Sequence, residues 1–292
     1  MIVLYPTDLS EASAHAADWA AAMARQYHAD ITALHVVRPI TIHEEPLADN
    51  EKERLRFEVA SRFSVVPDQK REPAILIDTG QPATRILERA ASLPADFIVM
   101  GTHGAGGFER LVLGSVTEKV LRKATCPVLT VPPRAHATSR LPFERILCAV
   151  DFSDCSLAAA RFAFSLVEPS AAALTLVHVI EWPWEEPPPP TIEELPPEQG
   201  RALAEFRRYC EQSARTRLES LVPDSVRASR TVAVHVRNGK PYVQILQAAA
   251  DDRTDLIVIG LHGRNPVDMA LFGSTTNQIV RQATCPVLTL RQ

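Results

Sequence analysis

Apolar residues recur along the chain in two rhythms. Short apolar runs closed by turn-forming residues appear at IVLYP (2–6), ITALHVV (31–37), AILID (74–78), FIVMG (97–101) and PVLTV (127–131). Runs of this length and ending read as strands buried on both faces. Between them the spacing becomes helical. Ser10 to His28 has an alanine-rich body with Ser10 placed to cap it, and residues 45–65 form a charged amphipathic stretch. Pro82 opens a helix to about Leu93, and Ser115 to Lys123 forms another. A second series follows, with strands at 145–150, 174–180, 231–236, 256–260 and 286–290. Strands alternating with helices predict an α/β fold, a parallel sheet covered on both faces and doubly wound, made twice.

The second series repeats the first residue by residue. GTHGAGGFERLVLGSVTEKVLRKATCPVLT (101–130) aligns without gaps on GLHGRNPVDMALFGSTTNQIVRQATCPVLT (260–289), with 14 identities in 30. Gly80/Gly239, Gly101/Gly260 and Cys126/Cys285 are each 159 apart, whereas Asp8/Asp151 and His35/His178 are 143 apart. The second copy therefore carries a net insertion of 16 residues, visible in the proline-rich stretch at 182–200. That stretch is too rich in proline for a helix or strand interior. The expected domains are 1–133 and 142–292, joined by a linker at 134–141.

Composition narrows the class. The 292 residues are 46% hydrophobic and 23% charged, within the range of globular proteins, and the net charge of −4 argues against a nucleic-acid binder. No apolar run reaches the length of a membrane span, and Asp8 and Glu11 come too early for a signal peptide. Five cysteines without a C-x-x-C pair fit reduced thiols, hence a cytoplasmic setting.

Glycine is scarce: 11 in all, ten of them within Gly80–Gly114 and Gly239–Gly273. Such a chain uses glycine where φ is positive or where something must approach closely. In doubly wound sheets ligands bind beyond the carboxyl ends of the strands, where strand order reverses. Two loops stand there in each copy. One carries Pro6-Thr7-Asp8, matched by Val150-Asp151. The other spaces Gly101, Gly104 and Gly114-Ser115, matched by Gly260, Gly263 and Gly273-Ser274. Glycine loops turn backbone N–H groups into an anion nest, and the Gly-Ser pair opens a helix whose first amides favour phosphate. An aspartate ending the first strand accepts hydrogen bonds from a base or a ribose. The two loops together describe a mononucleotide site.

The motif G-x2-G-x9-G-[ST], the strand-ending aspartate and the trailing CPVL strand resemble the universal stress protein family, and YPTDLS with GTHG…GSVT resembles its ATP-binding branch. The resemblance spans essentially the whole chain, as a tandem member. It implies five-stranded sheets of order 3-2-1-4-5 and pairing of domains through their last strands, within one chain or between two. It also implies ATP, with Mg²⁺ held mainly through the phosphates. Thr7, Asp8 and Val36, beside Pro6 and Met100, would hold adenine and ribose in the first copy. Gly101, Gly104, Gly114, Ser115, Val116 and Thr117 would hold the phosphates. In the second copy the matching residues are Val150, Asp151, Val179, Ile259, Gly260, Gly263, Gly273, Ser274, Thr275 and Thr276. The copies differ after their second motif glycine, where the family often has arginine: Arg264 stands in the second copy and Ala105 in the first.

Blander roles compete for several of these residues. Gly114 and Gly273 suit close helix–strand packing, and Ser115-Val-Thr-Glu118 has the spacing of a capping box. Asp8 is also favourable as a charge at a helix start. His103 and His262 suit turn packing more than chemistry, and His35 and His178 suit the core or its rim. Cys126 and Cys285 read as buried small residues. G-x-x-x-x-G-K-[ST] is missing, as are H-E-x-x-H and G-x-S-x-G, so no catalytic residue or metal ligand is assigned. The leading function is a nucleotide-dependent stress-response protein. A nucleotide-free scaffold and a slow ATPase or self-phosphorylating protein, with Ser115 or Thr117 near the γ-phosphate, stand as alternatives.

Overall fold

The computed structural model describes residues 1–39, 47–63, 72–103, 113–133, 135, 143–167, 172–181, 195–229, 232–263 and 273–291. In the first half, β1 (Ile2–Thr7), β2 (Asp30–Val37), β3 (Ala74–Thr79), β4 (Phe97–Gly101) and β5 (Val128–Val131) alternate with α1 (Glu11–Tyr27), α2 (Asp49–Ser61), α3 (Pro82–Ser92) and α4 (Ser115–Lys123). The second half runs β6 (Arg145–Ala149), α5 (Asp154–Val167), β7 (Ala173–Ile180), α6 (Pro197–Leu221), α7 (Asp224–Ser229), β8 (Val232–Asn238), α8 (Pro241–Asp251), β9 (Leu256–Gly260), α9 (Ser274–Gln282) and β10 (Val287–Leu290). Among the described residues no helix is long and apolar enough to cross a membrane.

All ten strands join one sheet, in the order β3-β2-β1-β4-β5-β10-β9-β6-β7-β8. Each half thus has the order 3-2-1-4-5 with parallel pairing throughout. The halves meet where β5 pairs antiparallel with β10, Leu129 opposite Leu288. Thr130 Oγ1 donates to the Val287 carbonyl (3.1 Å) and Thr289 Oγ1 to the Val128 carbonyl (3.2 Å), so the buried hydroxyls reinforce the seam. Pairing these terminal strands covers two edges that would otherwise be open to other chains.

Alternation along the strands sorts the core onto two faces. Val3, Tyr5, Ile31 and Ala33 join side chains of α1, α2, α5 and α6 in one cluster. Leu4 and Leu34 join those of α3, α4, α8 and α9 in the other. On the first face the halves also interlock: Phe97 of β4 meets Phe162 of α5 edge-on at 5.9 Å, and Trp19 of α1 stacks on Phe143 at 5.7 Å.

Two sequence expectations change here. The capping box does not form. Gly114 occupies the N-cap with no side-chain hydrogen bond, Ser115 is already helical, and Glu118 turns to Arg122 one turn on (2.9 Å). The proline-rich stretch also gives way earlier than residue 200, because Pro197 sits in the first turn of α6, where its missing N–H breaks no helix bond. α6 has 25 residues against 13 in α2, its counterpart, so the extra length of the second half is partly helix. Residues 182–194 lie outside the described residues, as does the expected linker apart from Ala135.

Candidate functional site

β1 and β6 each lie at the reversal point of their half, with β2 or β7 on one side and β4 or β9 on the other. Sheet pairing helps to open this point in the first half. β1 pairs with β4 at Val3 and Leu4, and Pro6, which has no N–H to offer a neighbour, lies past the last of these pairs. In the second half β6 and β9 stay paired to Ala149 and Ile259. Because β5 and β10 run antiparallel, the two carboxyl ends face opposite ends of the sheet.

The turn after the first strand is built alike in both halves. Leu9 (φ 63°) and Phe152 (φ 65°) are left-handed, a conformation that L residues of this bulk adopt only when their surroundings force it. Each directly follows a strand-ending aspartate. Asp8 Oδ1 accepts the Ser10 N–H (3.1 Å) and hydroxyl (2.6 Å); Asp151 Oδ1 accepts the Ser153 N–H (2.9 Å) and hydroxyl (2.5 Å). The carboxylates are thereby held at the mouth of the crevice, Asp8 exposed and Asp151 half-buried. The Thr7 hydroxyl is engaged behind this turn, with Ser13 Oγ (3.1 Å) and the Leu9 N–H (3.1 Å). Val150 has no hydroxyl, and there Ser156 Oγ takes the Asp151 N–H (3.3 Å).

In the second half the start of the strand-four loop comes directly against this turn. A Cβ on Gly263 would lie 2.8 Å from Asp151 Oδ2, and Ser153 Oγ donates to the His262 carbonyl at 3.3 Å. Gly260 is needed for packing: a Cβ there would lie 2.8 Å from both Cys155 C and Ser156 N at the start of α5. Gly114 (φ −58°) and Gly273 (φ −52°) do not use the left-handed region. Their Cβ positions would lie 3.3 Å from the Thr102 carbonyl oxygen and 3.0 Å from that of Leu261, so close approach explains them. Positive φ instead falls at Gly80 (140°) and Gly239 (129°), in the turns before α3 and α8.

α4 and α9 start without a side-chain cap. Open first-turn amides at a helix start attract an anion. Ser115 and Ser274 are exposed there, with Val116 and Thr275 half-buried behind them. Thr117 and Thr276 point inward, their buried hydroxyls donating to the Gly101 (3.0 Å) and Gly260 (2.9 Å) carbonyls. Of the two candidate phosphate acceptors, then, only Ser115 faces outward. Val36 and Val179 lie near the ends of β2 and β7, next to His35 and His178, whose rings meet the ends of the first strands, while Met100 and Ile259 are buried in β4 and β9. Gly104, Ala105 and Arg264 lie outside the described residues.

The histidines divide by role. His35 Nδ1 meets the Thr7 carbonyl (2.9 Å) and His178 Nδ1 the Val150 carbonyl (2.7 Å), tying each second strand to the end of the first. A carbonyl only accepts, so in both rings Nδ1 carries the proton. His103 Nδ1 bonds Thr102 Oγ1 (2.8 Å), and burial lowers its pKa below the ordinary imidazole value. Burial pushes the Cys285 thiol up to about 12 and also raises Cys126, which makes both inert. Sequence reasoning had passed over Ser153, although D-x-S after the first strand in both copies marked the pair.

A family model, the universal stress protein family, matches residues 1–132 and again 142–291. The chain belongs to the universal stress protein family. A universal stress protein of Mycolicibacterium smegmatis is 30% identical over 303 residues, covering 99% of this chain and 96% of that one. Universal stress protein MJ0531 of Methanocaldococcus jannaschii is 37% identical over 136 residues, 44% of this chain and 80% of its own length. Among solved structures, a universal stress protein from Archaeoglobus fulgidus superposes with a TM-score of 0.69 at 23% identity, covering 100% of this chain and 96% of that chain. The fold of this universal stress protein is thus shared along its full length, tandem halves included.

Proposed function

We propose that this universal stress protein binds an adenine nucleotide in each half and acts as a nucleotide-dependent stress-response protein. The carrying observation is a serine-held aspartate after the first strand of each half together with an uncapped helix start after the fourth. In the second half the glycine loop meets the aspartate directly, with Gly263 close against Asp151 Oδ2 and Ser153 Oγ donating to the His262 carbonyl. The donor set suits the ligand. Asp8 with Val36, and Asp151 with Val179, would hold base and ribose. Open amides at Ser115–Thr117 and Ser274–Thr276, with Gly101, Gly104, Gly260 and Gly263 of the motif, would hold phosphates. Mg²⁺, when bound, would neutralise charge on the phosphates. Cytoplasmic residence fits the five unpaired thiols.

Thermal melts with and without millimolar ATP and Mg²⁺, beside the nucleotide content of heat-released protein, test this reading. A ligand at 100 times its Kd stabilises the folded state by about 2.7 kcal/mol, and about 2–4 °C of Tm accompanies each kcal/mol in a chain of this size. A rise of roughly 5–10 °C is expected. No shift, together with no heat in calorimetry and no released nucleotide, would leave a nucleotide-free scaffold.

A further inference from the structure

We propose that Arg62 and Arg217 are positioning residues of the two nucleotide sites, each pinning the left-handed residue that aims the neighbouring aspartate. The inference rests on the nucleotide reading and adds to it a pair of side chains that lie outside the sequence motif.

Leu9 and Phe152 stand between the aspartate of the site and the serine that holds it, in the order Asp8-Leu9-Ser10 and Asp151-Phe152-Ser153. With φ of 63° and 65° there, the chain folds back so that the serine N–H and hydroxyl both reach the carboxylate. Such a backbone at a bulky residue costs free energy and persists only where its neighbours over-determine it. Relaxing that one residue would carry the serine away and free the carboxylate to swing.

An arginine from the same place in the fold meets this residue in each half, since α2 lies between β2 and β3 as α6 lies between β7 and β8. Arg62, the C-cap of α2, donates from Nη2 to the Leu9 carbonyl (2.5 Å). Phe63 beside it is buried and meets Tyr5 of β1 edge-on at 5.4 Å, which seats the end of α2 over the strand. Arg217 of α6 has its guanidinium carbon 3.8 Å from the centre of the Phe152 ring. Its neighbour Leu218 is fully buried, so this arginine too stands beside a core anchor. Phe152 in turn lies 4.8 Å from the His178 ring, whose Nδ1 donates to the Val150 carbonyl (2.7 Å). The contacts differ because the turn residues differ. Leucine has no ring face, so the arginine reaches its backbone oxygen in a charge-assisted bond; phenylalanine has one, and the planar cation stacks on it. Two chemistries that converge on one residue point to holding the turn as the shared role. Arg62 is half-buried and Arg217 exposed, so the first half depends on its arginine more.

The test is titration calorimetry of the full chain with ATP and with AMP, on the parent, Arg62→Ala, Arg62→Lys, Arg217→Ala and Arg215→Ala. Arg215 is the control: it also ties α6 to a strand, donating to the Val234 carbonyl (3.1 Å), but in β8 and away from the turn. A site competent in only a fraction of molecules shows its Kd divided by that fraction. Arg62→Ala should therefore weaken ATP and AMP alike at one of two sites, by about 3- to 30-fold, because both ligands share the base and ribose that the aspartate meets. Arg217→Ala should weaken the other site by about 2- to 5-fold, as for an exposed cation–π contact. Arg62→Lys should recover part of the loss, since an ammonium still donates to the carbonyl. Unchanged affinity in either alanine variant would overturn the assignment for that half. A loss for ATP without one for AMP would make the arginine a phosphate ligand and overturn it too, as would an equal loss in Arg215→Ala, the mark of a merely structural role. A parent chain that takes up neither nucleotide would fail the nucleotide reading itself. Amide exchange at Ser10 in the nucleotide-free chain still reads the turn in that case: faster in Arg62→Ala than in the parent or Arg215→Ala if the arginine holds it, and unchanged if it does not.

Discussion

Replacing Gly260 with alanine is a direct trial of how the strand-four glycines work. The added methyl carbon would lie 2.8 Å from Cys155 C, 2.8 Å from Ser156 N and 3.0 Å from Cys155 Cβ. Unstrained carbon contacts sit at about 3.5–4.0 Å, so the start of α5 must withdraw by roughly 0.5–1 Å. Two of the three obstructing atoms are backbone, and no rotamer change relieves them. Overpacking of this kind costs about 1–3 kcal/mol. With about 2–4 °C per kcal/mol, Tm should fall by roughly 2–12 °C in a circular-dichroism melt. Gly263→Ala is the comparator, because among the described residues its methyl meets only the tip of the Asp151 carboxylate. It should melt within about 2 °C of the parent while losing nucleotide affinity in the second half. Were Gly260→Ala to melt with the parent, the close approach of β9 to α5 would not be what demands glycine.

Three further outcomes follow from the same geometry. Thr130→Val with Thr289→Val removes both seam hydroxyls and should lower unfolding free energy by about 2 kcal/mol in denaturant titration, at roughly 1 kcal/mol per bond; an unchanged midpoint would contradict their role. Because burial lowers the His103 pKa from 6.5, the unfolded chain binds the proton more readily. The stability from keeping that ring neutral is present in full above pH 6.5 and is lost as pH falls from there through the lowered folded value, and His103→Asn should flatten this acid-side slope. Residues 1–133 expressed alone expose the β5 edge and should sediment as a self-associated species, whereas a well-behaved monomer would count against edge pairing.

Much of the fold was legible because each element announces itself locally. IVLYP and PVLTV could hardly be other than buried strands, and the structure has them as Ile2–Thr7 and Val128–Val131. Ser10 caps α1 as its spacing says, accepting from the Ser13 N–H. Errors arose where one residue type serves two geometries. Glycine signals both positive φ and close approach, and the motif glycines at 114, 260, 263 and 273 are explained by approach. Proline stops a helix but also opens one, so Pro197 at the head of α6 read as part of a loop. Ser115 and Glu118 have capping-box spacing, yet Arg122 offers Glu118 a better partner and Gly114 takes the cap. Left-handed Leu9 and Phe152 carried no signal at all, since nothing in a bulky apolar residue foretells that backbone. At the site, the aspartates and glycines were visible as a spaced repeat. The inward turn of Thr117 was not, because it depends on how close α4 comes to the Gly101 carbonyl.

The measurement closest to the central claim is the stoichiometry of ATP binding in the parent, Asp8→Ala, Asp151→Ala and the double variant, by titration calorimetry. Two independent sites predict two equivalents for the parent and about one tight equivalent for each single variant. In each the affected site should weaken by roughly 10- to 150-fold, as for losing a hydrogen bond to a charged group, and the double variant should keep no tight equivalent. Two tight equivalents retained through all three variants would contradict the account, because the aspartates that end the first strand of each half would then not touch the ligand.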